Sequence, residues 1–224
     1  MKLRMKFNKG RPVMFISHLD MIRTFERSFR RADLPLAFTQ GFNPRPRISF
    51  TPALSVGITS SSEYMDVEFE ETVSPEDAVT RLNAVLPEGI QIIKAETADN
   101  KIPLSVVNAA TYMVKTALDE ENPDELEKAI NNLLNREEII IEKSTKSGAK
   151  SVNIAPFIYN MKLLSNTNGT ADICMEVSIG QQGSASPKLI IFELEKLLAK
   201  KLEIVSTHRE EIFYLNENNK ILPL

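Results

Sequence analysis

Apolar and polar residues alternate along several stretches of this chain, and between those stretches the apolar spacing changes to that of a helix. Over residues 2–8, Leu3, Met5 and Phe7 fall on one side and charged or polar residues on the other, as in a half-buried strand. Ser17-His18-Leu19-Asp20 then reads as a capping box, the serine oxygen taking one free backbone N–H and the acid reaching back for another. The helix it opens should stop at Asp33-Leu34-Pro35, because proline disfavours helical geometry in the residue before it. Residues 36–50 form an interrupted extended stretch. Residues 64–70 alternate again, with Met65, Val67 and Phe69 opposite Asp66, Glu68 and Glu70. Ser74-Pro75-Glu76-Asp77 starts a second helix, and residues 90–95 supply a closing strand.

The same order returns in the second half. Residues 111–118 read as a strand, and a helix beginning at Asn122-Pro123 places Leu126, Ile130, Leu133 and Leu134 on one face. Extended segments follow at 138–142, 152–164 and 171–179, then a helix over 187–201 and a last strand over 203–215. The piece near 152–157 is extra, either a hairpin arm or half of a bent strand. Strand, helix, strand, strand, helix, strand is the split βαβ pattern. The expected fold is therefore α+β, two ferredoxin-like (βαββαβ) units with antiparallel sheets and helices packed on one face. The first unit spans 1–97, a linker 98–109, and the second unit 110–224.

Composition adds limits. At 224 residues, 42% hydrophobic and 25% charged, the chain has globular character and length for two compact domains. No run approaches the length of apolar residues a membrane helix needs, and MKLRMKFNKG does not build a signal peptide, so a cytoplasmic protein is expected. One cysteine, Cys174, excludes an internal disulfide and a multi-cysteine metal or iron–sulfur site within the chain, and its strand setting reads as core. With two histidines, no metal and no cofactor are expected.

The net charge of -3 is uneven. Residues 1–50 hold 11 Lys/Arg against 3 Asp/Glu, leaving 16 against 27 for the rest, so the first quarter is a basic module facing a polyanion or simply solvated. On the first helix, His18, Ile22, Phe25 and Phe29 are expected to share the packed stripe, while Arg23, Arg27, Arg30 and Arg31 cluster on the other side. Guanidinium groups bind phosphate in bidentate fashion. Between Thr39 and Phe50 the chain reads TQGFNPRPRISF. Gly41 permits a turn, and Pro44 and Pro46 prevent a fully paired central strand, so an ordered, exposed loop should carry Arg45 and Arg47. Phe42 is placed to stack on an unpaired base or to dock on a partner protein, and Phe50 to anchor the loop. A basic loop with Lys143, Lys146 and Lys150 offers a second contact or a solvated hairpin. His18, at a helix N-terminus, is a candidate general acid or base or a packed residue.

FISHLD at 15–20, GFNP at 41–44 and the proline-rich text that follows, dense over about residues 3–70 and looser through VNIAPFIYNMK at 152–162, resemble the signature of the radical-SAM-linked family. That family is a bacterial domain of unknown function found beside, or fused to, cobalamin-binding radical S-adenosylmethionine proteins. The resemblance implies a radical SAM protein as partner and assigns no reaction. The family's usual pattern has histidine after GFNP, where this chain has Arg45. A radical SAM enzyme needs three closely spaced cysteines, so this chain is not that enzyme. Three functions remain: a noncatalytic RNA-binding adaptor to the radical enzyme; a metal-independent endoribonuclease using His18, by fold analogy with CRISPR repeat-RNA endoribonucleases; and a protein-interaction scaffold.

Overall fold

The computed structural model describes residues 1–99, 101–118, 123–145, 148–167, 169–180, 183–217 and 219–224. Packing divides the chain into two units, residues 1–107 with 211–224, and residues 108–210. It is a mixed α/β protein, mostly antiparallel in its sheet pairing, with four α-helices among the described residues.

The first unit contains β1 (Lys2–Lys9), α1 (His18–Arg31), β2 (Ile48–Phe50), β3 (Thr59–Glu68), α2 (Pro75–Asn83) and β4 (Ile92–Thr97). β1 pairs antiparallel with both β3 and β4, and β2 pairs antiparallel with β3, so the strands lie in the order β4–β1–β3–β2. Leu3, Met5 and Phe7 point to the face on which both helices pack, meeting Met21, Phe25 and Phe29 of α1 and Ala78 and Leu82 of α2. The Phe7 and Phe25 rings meet edge to face at 4.8 Å. Burying each such side chain contributes about 1.5–3 kcal/mol. Ser17 caps α1, accepting from the Asp20 N–H at 3.2 Å, and Ser74 caps α2 in the same way.

The packed stripe of α1 is rotated from the expected one. Met21, Phe25, Ser28 and Phe29 are buried, whereas His18 and Ile22 sit half-buried at its margin. Arg81 of α2 finishes α1: its guanidinium donates to the Ala32 carbonyl at 2.8 Å and to that of Asp33, whose φ of 52° breaks the helix. These are the carbonyls a helix end leaves without partners. Replacing Arg81 with Ala should lower unfolding free energy by about 1–3 kcal/mol, read by denaturant titration.

The other face of this sheet departs from the alternation. Asp66, expected on a polar surface, is 3% exposed because Arg4 across the strand pair is buried with it. The Arg4 guanidinium meets the carboxylate through Nε at 2.7 Å and Nη2 at 2.9 Å, and its Nη1 donates to the Pro223 carbonyl at 3.0 Å. Lys2 adds a contact to Asp66 at 3.2 Å. The bond to the Pro223 carbonyl is made within the first unit, to which residues 211–224 belong, although the sequence alone puts them with 110–224. The expected linker is not wholly solvated either, since Leu104 and Val107 are buried around a short 3-10 turn.

The second unit contains β5 (Ala109–Ala117), α3 (Pro123–Leu134), β6 (Ile140–Thr145), β7 (Gly148–Asn153), β8 (Ile158–Thr167), β9 (Thr170–Ser178), α4 (Pro187–Leu198) and the first part of β10 (Glu203–Asn216). β10 ends in the first unit, which also holds β11 (Asn219–Ile221). The order here is β10–β5–β9–β8, with β6 and β7 forming a separate antiparallel hairpin. The extra piece near 152–157 is thus the end of a hairpin arm followed by a 3-10 turn, and the Asn153 side chain fixes it by accepting from the Ile139 and Ala155 N–H groups at 2.9 and 3.0 Å. Leu126, Ile130 and Leu133 of α3 are buried as their spacing requires, and Cys174 in β9 is half-buried. Asn122, expected to start α3, and Lys146 lie outside the described residues, as does the Lys143 side chain; Lys150 is exposed.

Candidate functional site

The basic surface of the first unit is smaller than the count of charges implies. Of the 11 Lys/Arg in residues 1–50, Arg4 and Lys9 are buried. Lys2 and Lys6 are paired with Asp66 and Glu211, Arg23 with Asp20 at 3.2 Å, and Arg47 with Glu68 at 2.9 Å. Arg31 is exposed but donates to the Val85 carbonyl at 2.7 Å and to Ser28. Arg11, Arg27, Arg30 and Arg45 remain, all exposed and, among the described residues, without an ion-pair partner. Arg27 and Arg30 line an open concavity with Thr24, Arg31 and Pro87. Four arginines of α1 were expected to act together; the structure leaves two of them uncommitted and groups them with Arg31.

The proline-rich segment is a small hairpin. Phe38 bridges Pro46, the Thr39 N–H donates to the Arg45 carbonyl at 2.9 Å, and the Arg45 N–H donates to the Thr39 hydroxyl at 3.0 Å. The Arg47 N–H donates to the Ala37 carbonyl at 2.8 Å, and the Arg47 carbonyl accepts from Glu68 at 3.0 Å, which ties the hairpin to β3. Gly41, at φ 129°, makes the tip where another residue would be strained. Phe42 beside it is fully exposed, while Phe50 anchors the base against Phe7 and Phe25 at ring distances of 6.2 and 5.8 Å.

His18 lies elsewhere on the same unit. Its ring stands edge-on to Phe50 at 5.7 Å, and it borders a cavity of about 20 Å³ with Lys9, Ser17, Thr51 and Glu63. The Lys9 ammonium donates to the Ile16 carbonyl at 3.2 Å. Sequence reasoning missed Lys9 and Glu63, because nothing in an alternating strand distinguishes a buried charge from a solvated one. Ser17 lends its hydroxyl to the Asp20 carboxylate at 2.7 Å, and that bond, with Arg23, holds Asp20 below the usual carboxylate range.

A second polar group escaped the sequence as well. Glu211 accepts from Lys6 at 2.9 Å, from the Tyr64 hydroxyl at 3.1 Å and from the Ser62 hydroxyl. Burial opposes the Lys6 charge, yet the hydrogen bond and charge of Glu211, joined by Tyr64, outweigh it and raise the ammonium above its ordinary 10.5. Burial is the main reason the Tyr64 hydroxyl is pushed above 10.0. In both cases the fold favours the protonated form, so the stabilisation is complete below about pH 10 and is lost as pH rises through the folded values. A melting-temperature series through this alkaline range should show the fall, and Lys6→Met should reduce it to the part that Tyr64 contributes.

The fold has known counterparts. The chain is similar to a chain of a solved Cbf5–Nop10–Gar1 complex (TM-score 0.54, 10% identity, 92% of this chain and 47% of that one). It is also similar to chains of an archaeal box H/ACA sRNP Nop10–Cbf5 complex (0.52, 9%, 92% and 46%) and of an H/ACA RNP bound to a substrate RNA containing 2′-deoxyuridine (0.51, 10%, 92% and 46%). At these identities the likeness describes the fold alone, and the chain spans about half the length of the solved chains it matches. No curated protein matches it. Residues 2–187 match the family described as an uncharacterized protein conserved in bacteria (DUF2344), and the chain belongs to that family. No helix among the described residues is long and apolar enough to cross a membrane.

Proposed function

We propose that this chain is a noncatalytic RNA-binding adaptor whose contacts are the uncommitted arginines of α1 and the Phe42 hairpin, with Arg45 and Arg47 on its arm. The observation that carries the reading is Phe42, wholly exposed on a hydrogen-bonded tip near Arg45, whose guanidinium has no ion-pair partner among the described residues. An aromatic ring and guanidinium groups held in an ordered loop suit a single strand, because every base offers a face to stack on and every phosphate a charge to meet. The H/ACA RNP bound to a substrate RNA, one of its structural counterparts, agrees with this reading.

Both units are read as ferredoxin-like, supported by the orders β4–β1–β3–β2 and β10–β5–β9–β8, each with a helix after its first and third strands. In the same proposal the protein is cytoplasmic and presents RNA to a radical SAM enzyme, a partnership supported by the resemblance of residues 3–70. The noncatalytic reading is preferred to an endoribonuclease because the cavity beside His18, about 20 Å³, has room for about one water and not for a nucleotide.

The test is binding of a single-stranded RNA across a salt series. A protein meeting about five phosphates should show a log–log slope near -3.5. Phe42→Ala should weaken binding about tenfold and leave that slope unchanged, since stacking releases no counterions. Absence of binding at low salt would overturn the adaptor reading in favour of a protein-docking scaffold.

A further inference from the structure

Phe15, three residues before α1, is 72% exposed, Leu19 on its first turn 64%, and Val56, beside the Gly57 that meets Phe15, 54%, and these mark the apolar end of the α1 surface. The position of Phe15 is fixed. The Gly57 N–H donates to the Met14 carbonyl at 2.9 Å, and a Cβ at Gly57 would lie 3.8 Å from the Phe15 ring. Phe15 is thus an ordered ring held against a left-handed glycine turn, with its remaining surface in water.

Charge says what would cover it. Leu19, Arg23 and Arg27 follow one another at helical spacing of four, so a ridge runs from the apolar end to the Arg27 and Arg30 concavity, advancing about 6 Å at each step. The acid nearest the apolar end of this ridge, Asp20, is already paired with Arg23. A ligand that is apolar at one end and anionic along the rest matches this surface. We infer that Phe15 is a second base-stacking position and that a single-stranded RNA runs along α1, one unpaired base on Phe15 and its phosphates on Arg27 and Arg30. This rests on the RNA reading above and adds to it a direction and a subsite distant in sequence from Phe42.

The chain has no tryptophan, which supplies the experiment. The full chain carrying Phe15→Trp is titrated at low salt with an oligouridine and, separately, with inorganic polyphosphate, which has the charge but no bases. The oligouridine should quench the tryptophan emission by more than half, and polyphosphate should bind without quenching. Phe15→Ala should weaken oligouridine binding about tenfold and leave polyphosphate binding unchanged. If oligouridine binds with the expected salt slope but leaves the tryptophan unquenched and Phe15→Ala without effect, the stacking position is overturned and the RNA reading stands. Equal quenching by polyphosphate would overturn it too, by showing that the signal follows charge. If neither polymer binds, the RNA reading itself fails and Phe15 belongs to a protein-facing patch. Unchanged melting temperatures in both variants confirm that the fold is intact.

Discussion

Charge reversal of Arg27 and Arg30 together, Arg27→Glu with Arg30→Glu, is expected to weaken RNA binding by at least about a hundredfold at low salt. Each is a guanidinium without a protein partner among the described residues, so each is free to bind phosphate. Two charge-assisted bonds of about 1.5 kcal/mol each already give that factor, before any repulsion by the new carboxylates. Loss of two phosphate contacts should also reduce the salt slope from about -3.5 to about -2.1. Because both side chains are exposed, the melting temperature should stay within the small range typical of surface changes. Arg23→Glu alone is the informative comparison. Its partner is Asp20, so it should cost less than either of the other two. A loss of folding in the double variant equal to the loss of binding would reassign these arginines to structure.

Asp66→Ala is expected to be the most destabilising single change. It removes both carboxylate acceptors of the Arg4 guanidinium and the partner of Lys2, and leaves a charge buried at 1% exposure with, among the described residues, only the Pro223 carbonyl. Breaking one side of such a pair costs about 3–5 kcal/mol, a large part of the roughly 5–15 kcal/mol by which domains are stable. For a chain of this length the melting temperature should fall by on the order of 10 °C. Replacing the pair with apolar residues, Arg4→Met with Asp66→Leu, should recover most of the loss, because two buried charges contribute little beyond their mutual compensation. If Asp66→Ala melts like the parent, the pair is not a stabilising element.

The strands and helices of this protein were legible because period-two and helical spacing follow from packing on one face, and Leu3, Met5, Phe7, Phe25 and Phe29 all lie where that spacing puts them. What was not legible is what covers the second face. Arg4, Asp66, Lys9 and Glu63 look like solvated positions in an alternating strand, yet all four are buried, Arg4 and Asp66 by pairing across 62 positions. The same limit applied to the site. The exposed hairpin could be read from its prolines and glycine, since these act locally on the backbone. The division of the arginines into paired and free ones could not, because the partners of Arg31 and Arg47 are Val85 and Glu68. His18 was assigned to the packed stripe by spacing, but the helix turns Met21 inward and leaves the histidine at the edge of Phe50.

The bond from Arg4 to the Pro223 carbonyl joins residues 219 positions apart, and Lys6 waits similarly for Glu211, 205 positions on. During synthesis the first unit's sheet and helices emerge well before those partners. At about 5–20 residues per second the delay is several seconds or more, far longer than helix formation or hairpin closure. Through that interval the nascent unit carries a buried-charge face that its own first hundred residues cannot complete. A ribosome-bound chain ending near residue 110 should therefore be more protease-sensitive around β1 and β3 than the finished protein. Translation speed through the second unit then becomes a determinant of yield.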